Sequence, residues 1–240
     1  MIVAWFSGGA TSAVACKLAL QKYENVEIVY IETGAHHPDL IRFLHDCEKW
    51  YGRKITILRS KYKNQFDVMG RLKMIRSPKY APCTRYLKVR PRQQYEYEHP
   101  DITHYVWGFE IGGKEEARAA RMVERYPQYG HIFPLIENRL NKASCLALLT
   151  QAGIEIPEMY KKGYHNNNCI GCIRGGMGYW NKIRVDYPEI FNKMARLERY
   201  VGHHALKECF LDELDPEAGR DEKEILPSCS IFCGFVDFEE

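Results

Sequence analysis

The chain has 240 residues, of which 45% are hydrophobic and 27% charged, so it can bury the core of one large domain. Its net charge of +3 is too small to indicate a nucleic-acid partner by itself. No apolar stretch approaches the roughly 20 residues of a membrane helix, and Met1 leads into an apolar run without a basic leader. We therefore expect a soluble, cytoplasmic protein with no membrane partner.

Apolar runs alternate with helical patterns over the first two thirds of the chain. The predicted strands are 2–6, 26–32, 54–58, 102–109 and 131–136, and the predicted helices are 11–22, 38–52, 113–125 and 141–152. This alternation predicts an α/β fold, a doubly wound and mostly parallel five-stranded sheet covered by helices on both faces. Ligands of such sheets bind beyond the carboxyl ends of the strands.

The pattern changes after residue 155, where strands stop. A CxxC motif, a helical stretch (178–209), an acidic segment (212–224) and a Cys-containing tail follow. We therefore predict a nucleotide-binding α/β domain over 1–155. A helical, Cys-containing C-terminal appendage over 156–240 would pack on it.

A glycine-rich stretch, SGGATS at 7–12, follows the first strand. Gly8 and Gly9 let the backbone approach an anion closely, and the start of the next helix points N–H donors at it. Ser7, Thr11 and Ser12 add hydroxyl groups. It is not a P-loop of the GxxxxGK[ST] kind, because no lysine follows the glycines. Taken alone, the stretch is either an anion cradle or a simple glycine-bearing turn.

Several segments carry a resemblance to one family. SGGATS resembles the PP-loop (SGGxDS) of the ATP pyrophosphatase, or adenine nucleotide α-hydrolase, superfamily. YIETGAHHPDLIRFLHDCEKWYG (30–52) and WGFEIGGKEEARAARM (107–122) resemble segments of the phosphoadenosine phosphosulfate (PAPS) reductase family within it. APCTRYLKVRP (81–91) and NNCIGC (167–172) resemble the Cys-containing segments of iron–sulfur adenylyl-sulfate reductases. The resemblance therefore implies an adenine nucleotide α-hydrolase-like fold of the iron–sulfur type.

This resemblance implies an adenine nucleotide, ATP or adenylyl sulfate, bound over the strand ends with its phosphates or sulfate on residues 7–12. The implied nucleotide-binding residues are Ser7, Gly8, Gly9, Ala10, Thr11, Ser12, Thr33, Gly34, Arg118 and Arg121. Lys88 and Arg90 would assist them. Arg118 and Arg121 have an alternative role, because Glu115 and Glu124 stand at helical spacing for surface ion pairs.

One position departs from the superfamily pattern. The PP-loop acid is expected at position 11, where this chain has Thr11. In the pyrophosphatases that acid stands near Mg²⁺ and the phosphates, so Mg²⁺ is expected only if ATP is used. PAPS reductases also lack the acid, whereas the SGG core is typical of the ATP users. The nucleotide therefore stays open between ATP and a sulfonucleotide.

The chain has nine cysteines, which favour metal binding or reactive thiols over disulfides in a cytoplasmic protein. Cys169 and Cys172 form a CxxC motif in a loop, a spacing suited to a metal ion or cluster. A structural zinc site and a thioredoxin-like redox pair are the alternatives. Four further cysteines fall within apolar helical patterns and are expected in the core. They are Cys16, Cys47, Cys145 and Cys209.

The resemblance favours a [4Fe–4S] cluster, with zinc as the alternative. Its ligands would be Cys83, Cys169, Cys172 and, from the tail, Cys233. Cys229 would then be the nucleophile, or the two tail cysteines would exchange roles, so both are candidate catalytic residues. A cluster with three protein ligands and an open iron, or a tail whose thiols have no role, are further alternatives. His36 and His37 could contact phosphate or a base, or could have a structural role at the start of the following helix.

Three functions are compatible with these features. The first is an ATP-using iron–sulfur sulfurtransferase that thiolates a nucleic-acid or small acceptor through an adenylate. The second is an adenylyl-sulfate or PAPS reductase that releases sulfite. The third is a non-catalytic nucleotide- or nucleic-acid-binding module with structural zinc.

The expected partners follow from these functions. A sulfur or thiol donor would serve the two enzymes, and homo-oligomers are possible. The stretch 71–92, with eight Lys or Arg and no acid, is either a solvated basic face or an anion-binding surface.

Overall fold

The computed structural model describes residues 1–77 and 81–220, and its centre is a five-stranded parallel sheet. The strands are β1 (Ile2–Phe6), β2 (Val26–Glu32), β3 (Thr56–Arg59), β4 (His104–Val106) and β5 (Gly130–Ile132). Their order is β3-β2-β1-β4-β5. β1 pairs in parallel with both β2 and β4, with Phe6 opposite Tyr30 and Ala4 opposite Val106. The α/β fold with a parallel five-stranded sheet is therefore confirmed.

Helices connect the strands and make up most of the C-terminal region. Those of the first half are α1 (Ala10–Lys22), α2 (Leu40–Tyr51), α3 (Gln65–Leu72), α4 (Pro82–Thr84) and α5 (Arg90–Glu98). Those of the second half are α6 (Gly113–Arg125), α7 (Pro134–Glu137), α8 (Lys142–Gln151), α9 (Glu158–Lys161), α10 (Met177–Asp186) and α11 (Pro188–Val201). A 3₁₀ turn over Leu211–Glu213 follows. The expected helical C-terminal region is therefore present.

Side chains of β1 alternate between the two faces of the sheet, as strand geometry requires. Ala4 and Phe6 join the main apolar core, which also takes in the buried faces of α1, α2 and α8. Trp5 instead contacts Tyr95 of α5 and Tyr105 of β4, with ring centroids 6.2 and 5.8 Å apart. Both faces of β1 are thus covered, which explains its nearly continuous apolar sequence.

The order of the strands places a topological switch between β1 and β4. The chain moves from β1 to β2 and β3 on one side, and β4 and β5 lie on the other side. Ligands of open parallel sheets bind at the carboxyl ends of the strands at such a switch. The turn after β1 is therefore at the position where this fold class binds its ligand.

Three predicted elements differ from the structure. β4 and β5 are three residues each, much shorter than predicted, because the chain leaves the sheet after Val106 and after Ile132. The helical stretch over 178–209 divides at Pro188, which begins α11, and stops at Gly202 in a left-handed conformation. Cys209 consequently lies outside any helix and is partly exposed, so its expected place in the core is wrong.

One helical segment carries a wide turn. Between α4 and α5 the residues Arg85–Val89 form a π-helical turn, in which the Arg90 N–H donates to the Arg85 carbonyl five residues back. Pro91 follows at once, and its ring nitrogen has no hydrogen for the regular helical bond. The chain thus keeps a helical course through a proline.

The chain divides into two compact units that are interleaved along the sequence. The first comprises Met1–Ile31, Pro38–Leu58 and Gln94–Asn167, and the second comprises the described residues of Glu32–His37, Arg59–Gln93 and Asn168–Glu240. The linear boundary at residue 155 stays a prediction. In the described part of the chain, no helix has both the length and the apolar character needed to cross a membrane.

Candidate functional site

In the first unit, a tight loop of residues 7–12, here called the glycine loop, leads from β1 into α1. Gly8 has a φ of +81°, and a Cβ there would lie 2.8 Å from a methyl group of Leu40. The left-handed backbone conformation therefore favours glycine at position 8, and any other residue would also have to displace the Leu40 side chain.

The Ser12 hydroxyl organises the glycine loop from inside. It accepts hydrogen bonds from the Ser7 N–H (3.1 Å) and the Ser7 hydroxyl (3.0 Å), and it donates to the Gly9 carbonyl (2.9 Å). Ser12 is 3% exposed, whereas Ser7 is exposed and Thr11 partly so. Ser12 thus holds the shape of the loop, and the accessible hydroxyl groups belong to its neighbours.

Two side chains from late in the chain also hold the glycine loop. Asn167 is buried and donates to the Gly8 carbonyl at 2.7 Å. The Tyr160 hydroxyl accepts from the Ala10 N–H at 3.1 Å. Neither residue is predicted from sequence, because each lies 150 or more positions from its partner in the loop and belongs to no motif.

The start of α1 is electrostatically suited to an anion. Its N-cap is Gly9, which has no side chain, and its first turn holds no acidic residue. No carboxylate in the first turn of α1 therefore neutralises the positive end of the helix dipole. Gly108, after β4, approaches this turn so closely that a Cβ would lie 2.7 Å from the Ser12 Cα. The loops after β1 and β4 thus meet at the switch point.

The two arginines expected to face the anion lie on α6. Arg118 donates to both oxygens of Glu115, at 2.7 and 2.9 Å, and stands over the ring of Phe109. Arg121 is exposed. The surface ion pair considered for Arg118 is therefore present, and a role of either arginine in nucleotide binding stays a prediction.

In the second unit, three of the predicted metal ligands line one cavity. They are Cys83, Cys169 and Cys172, which come from α4 and from the loop before α10. The wall also contains Lys88 of the π-helical turn and Arg174, so thiols and cationic side chains share the cavity. We call it the cysteine cavity.

The CxxC loop is held from several sides by hydrogen bonds. The Ile170 N–H donates to the Ala35 carbonyl at 2.8 Å, and the Gln65 amide donates to the carbonyls of Ile170 and Gly171. The buried Tyr179 hydroxyl accepts from the Cys172 N–H at 3.0 Å and donates to the Cys169 carbonyl at 3.3 Å. Both cysteines are therefore fixed on a stiff backbone.

Cys169 lies against two polar side chains from the turn after β2. Its sulfur is 3.1 Å from the Thr33 hydroxyl and 4.0 Å from Nε2 of His36, and His36 Nδ1 is 3.1 Å from the same hydroxyl. Glu32 stands 3.9 Å from His36 Nδ1. With His36 protonated, Nδ1 donates to Thr33 and the Thr33 hydroxyl donates to the sulfur.

This arrangement favours a charged pair. Burial alone would raise the pKa of Cys169, but the His36 imidazolium, Lys88 and the Thr33 hydroxyl lower it to about 6. Burial alone would lower the pKa of His36, but the Cys169 thiolate and Glu32 raise it to about 9. Between these pH values the pair is thiolate and imidazolium. The thiolate is the form that attacks electrophiles and binds metals.

We expect this pair to give the metal-free protein a distinctive pH dependence. Iodoacetamide should alkylate Cys169 at a rate that rises through a midpoint near pH 6, because the thiolate forms there. His36→Gln should move the midpoint upward by removing the cation. Peptide mapping by mass spectrometry measures both rates.

Cys209 is the internal reference for that measurement. Partial burial and the nearby Glu208 raise the pKa of its thiol, so its alkylation should begin only at higher pH. A Cys169 midpoint at or above that of Cys209 would contradict the charged pair.

The residues that line the cysteine cavity are compatible with the predicted iron–sulfur cluster. Within residues 1–77 and 81–220, no group of three His, Cys, Asp or Glu side chains is close enough to hold one metal ion. Each cysteine of a [4Fe–4S] cluster binds a different iron atom, so such ligands stand further apart than those of one zinc ion. Three cysteines line this cavity, and the cluster itself stays a prediction.

The remaining predicted site residues divide into two groups. Thr33 and Gly34, expected near the nucleotide, lie in the turn that reaches the cysteine cavity. The Thr33 hydroxyl contacts Cys169, and a Cβ on Gly34 would collide with the Lys63 carbonyl. Cys229 and Cys233 lie outside the described residues. The roles of all four stay predictions.

The fold and the glycine loop define a parallel α/β protein of the class whose ligands bind at the carboxyl ends of the strands. The sequence model of the family described as phosphoadenosine phosphosulfate reductase domain matches residues 1–175. The chain belongs to this family, a family of sulfur chemistry and adenine nucleotides. The match confirms the resemblance found in the sequence.

The individual proteins that match this chain share about a quarter of its residues in the matched regions. Two uncharacterised proteins of Methanocaldococcus jannaschii match the chain with 24% identity each. The two matches cover 82% and 85% of the chain. The matched regions are only 47% and 42% of those relatives, so the chain spans less than half of their length. An uncharacterised nin region protein of Escherichia phage lambda is 26% identical over 79% of the chain and 72% of its own length.

Two solved structures are similar to this chain. PAPS reductase from Candida auris, in a phosphate complex, superposes with a TM-score of 0.54 at 17% identity, over 70% of this chain and 80% of that one. This likeness shows a shared fold. The U34-tRNA thiolase NcsA from Methanococcus maripaludis, with its [4Fe–4S] cluster, gives a TM-score of 0.41 at 14% identity, over 84% and 72% of the two chains.

Proposed function

We propose that this protein is an ATP-using iron–sulfur sulfurtransferase. The observation that carries the proposal is that Cys83, Cys169 and Cys172 line one cavity although 86 positions separate the first two in the sequence. Packing alone does not explain thiols beside Lys88 and Arg174, since buried structural cysteines prefer apolar surroundings. Membership of a family of sulfur and nucleotide chemistry supports the same function.

The glycine loop would bind the triphosphate of ATP. Backbone N–H groups at the start of α1 and the accessible Ser7 and Thr11 hydroxyls would donate to the phosphate oxygens, with Mg²⁺ sharing their charge. A carbonyl oxygen of the acceptor would attack the α-phosphorus, form an adenylate and release pyrophosphate. A sulfur nucleophile would then attack the activated carbon and displace AMP, with the sulfur coming from a separate donor.

The cysteine cavity would hold the cluster through Cys83, Cys169 and Cys172, with Cys229 or Cys233 as a fourth ligand or as the nucleophile. Bound there, a [4Fe–4S] cluster would supply either a binding position for the transferred sulfur or electrons. Thr33 and His36 would orient Cys169 and stabilise its negative charge, while Lys88 would balance the net charge of the cavity.

A second candidate, a sulfonucleotide reductase, is favoured by Thr11 and by the uncapped start of α1. The first turn of this helix has no acid to place a metal ion, which is compatible with a sulfonucleotide bound without Mg²⁺. A thiolate would attack the sulfate sulfur, leaving S-sulfocysteine and the nucleotide. A thiol donor would then reduce this intermediate and release sulfite. The non-catalytic module with structural zinc remains as the third candidate.

Metal analysis followed by two activity assays distinguishes these functions. We expect anaerobically purified protein to be brown, with iron and sulfide in equal amounts, and to release pyrophosphate from ATP when an acceptor and a sulfide source are present. Sulfite release from adenylyl sulfate or PAPS with a thiol donor would support the reductase instead. Colourless protein with one zinc ion would exclude the iron–sulfur forms of both enzymes.

A further inference from the structure

The second unit presents a cluster of aromatic and basic side chains outside the cysteine cavity, formed by Lys61, Tyr62, Tyr86 and Arg90. The rings of Tyr62 and Tyr86 meet edge to face, with centroids 5.4 Å apart. Lys61 Nζ stands 5.5 Å from the Tyr62 centroid, and the Arg90 guanidinium 4.3 Å from the Tyr86 centroid. Both cations are exposed and both rings are partly exposed. We call these four residues the tyrosine platform.

The tyrosine platform is fixed by the backbone as well as by ring contacts. The Ser60 hydroxyl donates to the Tyr86 carbonyl at 2.8 Å and accepts from the Tyr62 N–H at 3.2 Å. One side chain thus joins the two segments that carry the rings. Two tyrosines held in this way lose little conformational entropy when a flat ligand stacks on them.

The surrounding segment concentrates the positive charge of the whole protein. Residues 59–93 contain eleven Lys or Arg and one acid, while the other 205 residues contain 23 basic and 30 acidic side chains. The single acid, Asp67, accepts from Arg71 and from the Lys63 N–H, so its charge is already balanced. A polyanion is therefore attracted to this segment rather than to the rest of the chain.

We propose that the tyrosine platform binds single-stranded nucleic acid. Bases would stack on the tyrosine rings and on the Arg90 plane, while phosphates would meet Lys61, Lys63 and the neighbouring basic side chains. A duplex fits less well, because its bases are paired and stacked inside. An acidic protein could use the charges, but it would have no need for two preordered aromatic rings.

This proposal rests on the proposed function in one respect, since it names the chemical class of the acceptor. The basic stretch 71–92 predicted an anion-binding surface from sequence. The structure assigns part of that charge elsewhere: Arg76 donates to the Ala205 carbonyl, and Arg92 is buried. Tyr62 and Lys61, which contribute to the platform, precede the stretch altogether.

The test is direct binding of a fluorescein-labelled oligo-uridine of about 16 nucleotides, within the range of single-strand sites, measured by anisotropy without nucleotide. Tyr62→Ala and Tyr86→Ala should each weaken binding by about tenfold through lost stacking. Lys61→Gln and Arg90→Gln should each reduce the slope of log affinity against log salt by about 0.7. Oligo-thymidine and a duplex of equal length show which nucleic acid is preferred.

Tyr97→Ala is the matched control, because Tyr97 is 83% exposed on α5 between two glutamates and should not affect binding. Equal binding by the tyrosine variants and the unaltered protein, or equal competition by heparin and by the oligonucleotide, would overturn the proposal in favour of a general polyanion surface. Binding without stimulated pyrophosphate release would leave the platform intact and refute the transferase. Stimulation that the tyrosine variants leave unchanged would refute the platform alone.

Discussion

Cys169→Ser is expected to remove most of the iron and sulfide from anaerobically purified protein and to bleach its brown colour. A serine hydroxyl is a poor ligand for iron compared with a thiolate, and Cys169 is the cysteine whose pKa the surroundings lower to about 6. We expect about four iron atoms per chain in the unaltered protein and a large loss in the variant. Iron and sulfide assays with the visible spectrum measure the change.

Cys209→Ser is the matched control, since Cys209 is partly exposed and does not line the cysteine cavity. It should keep the full iron content. Far-UV circular dichroism shows whether Cys169→Ser still folds, and Cys83→Ser and Cys172→Ser should repeat its result. An unchanged iron content in all three cavity variants would refute the cluster site.

The tail cysteines can be separated by the same assays. If Cys233 is the fourth ligand, Cys233→Ser should lower the iron content. If Cys229 is the nucleophile, Cys229→Ser should keep the colour and abolish turnover. Reversed results would exchange these two roles.

Gly34→Ala is expected to destabilise the protein by about 3 kcal/mol or more. A non-glycine residue in the left-handed region costs about 1–2 kcal/mol, and Gly34 has a φ of +65°. In addition, a Cβ there would overlap the Lys63 carbonyl oxygen, which belongs to the backbone and cannot rotate away. Urea denaturation followed by circular dichroism gives the change in the free energy of unfolding.

Gly52→Ala separates the two effects, because Gly52 has nearly the same φ, +67°, but no atom within 4 Å of its would-be Cβ. Its free energy of unfolding should fall only by the backbone contribution of about 1–2 kcal/mol. Equal decreases in the free energy of unfolding for the two variants would show that the turn after β2 changes its conformation to accommodate the added methyl group. Because Thr33 and His36 flank this turn, such a shift should also raise the pH midpoint of Cys169 alkylation.

The parts of the fold that the sequence predicted well are those where one local pattern decides the structure. β1, β2, α1 and α6 have the predicted bounds within one residue, because buried apolar runs and helical periodicity end at turn residues there. The segments 65–72 and 82–98 were not predicted as helices. The start of α3 is capped by the Asn64 side chain. In the later segment, Pro82 and Pro91 argue against a helix when the sequence is read alone. A helix that continues past Pro91 through a π-helical turn is hard to predict from propensity alone.

The candidate site shows the same division between local and distant information. Motifs indicated the glycine loop, Cys169 and Cys172, because glycine conformation and CxxC spacing are local properties, whereas Cys83 was indicated only by the family resemblance. The contacts of Thr33 and His36 with Cys169 span 136 and 133 positions, and no pattern within a segment encodes them. The same holds for Tyr160 and Asn167, which shape the glycine loop from a distant part of the chain.

The interleaving of the two units has a consequence for how the chain folds as it is synthesised. All five strands have left the ribosome once Ile132 has emerged, so the sheet can assemble early. The cysteine cavity cannot form until the CxxC loop has been synthesised, because Thr33 and His36 contact Cys169, which lies more than 130 residues later in the chain. Any metal or cluster must therefore be inserted after the CxxC loop has been synthesised, and a chain stopped before residue 169 would have an assembled sheet but an incomplete cavity.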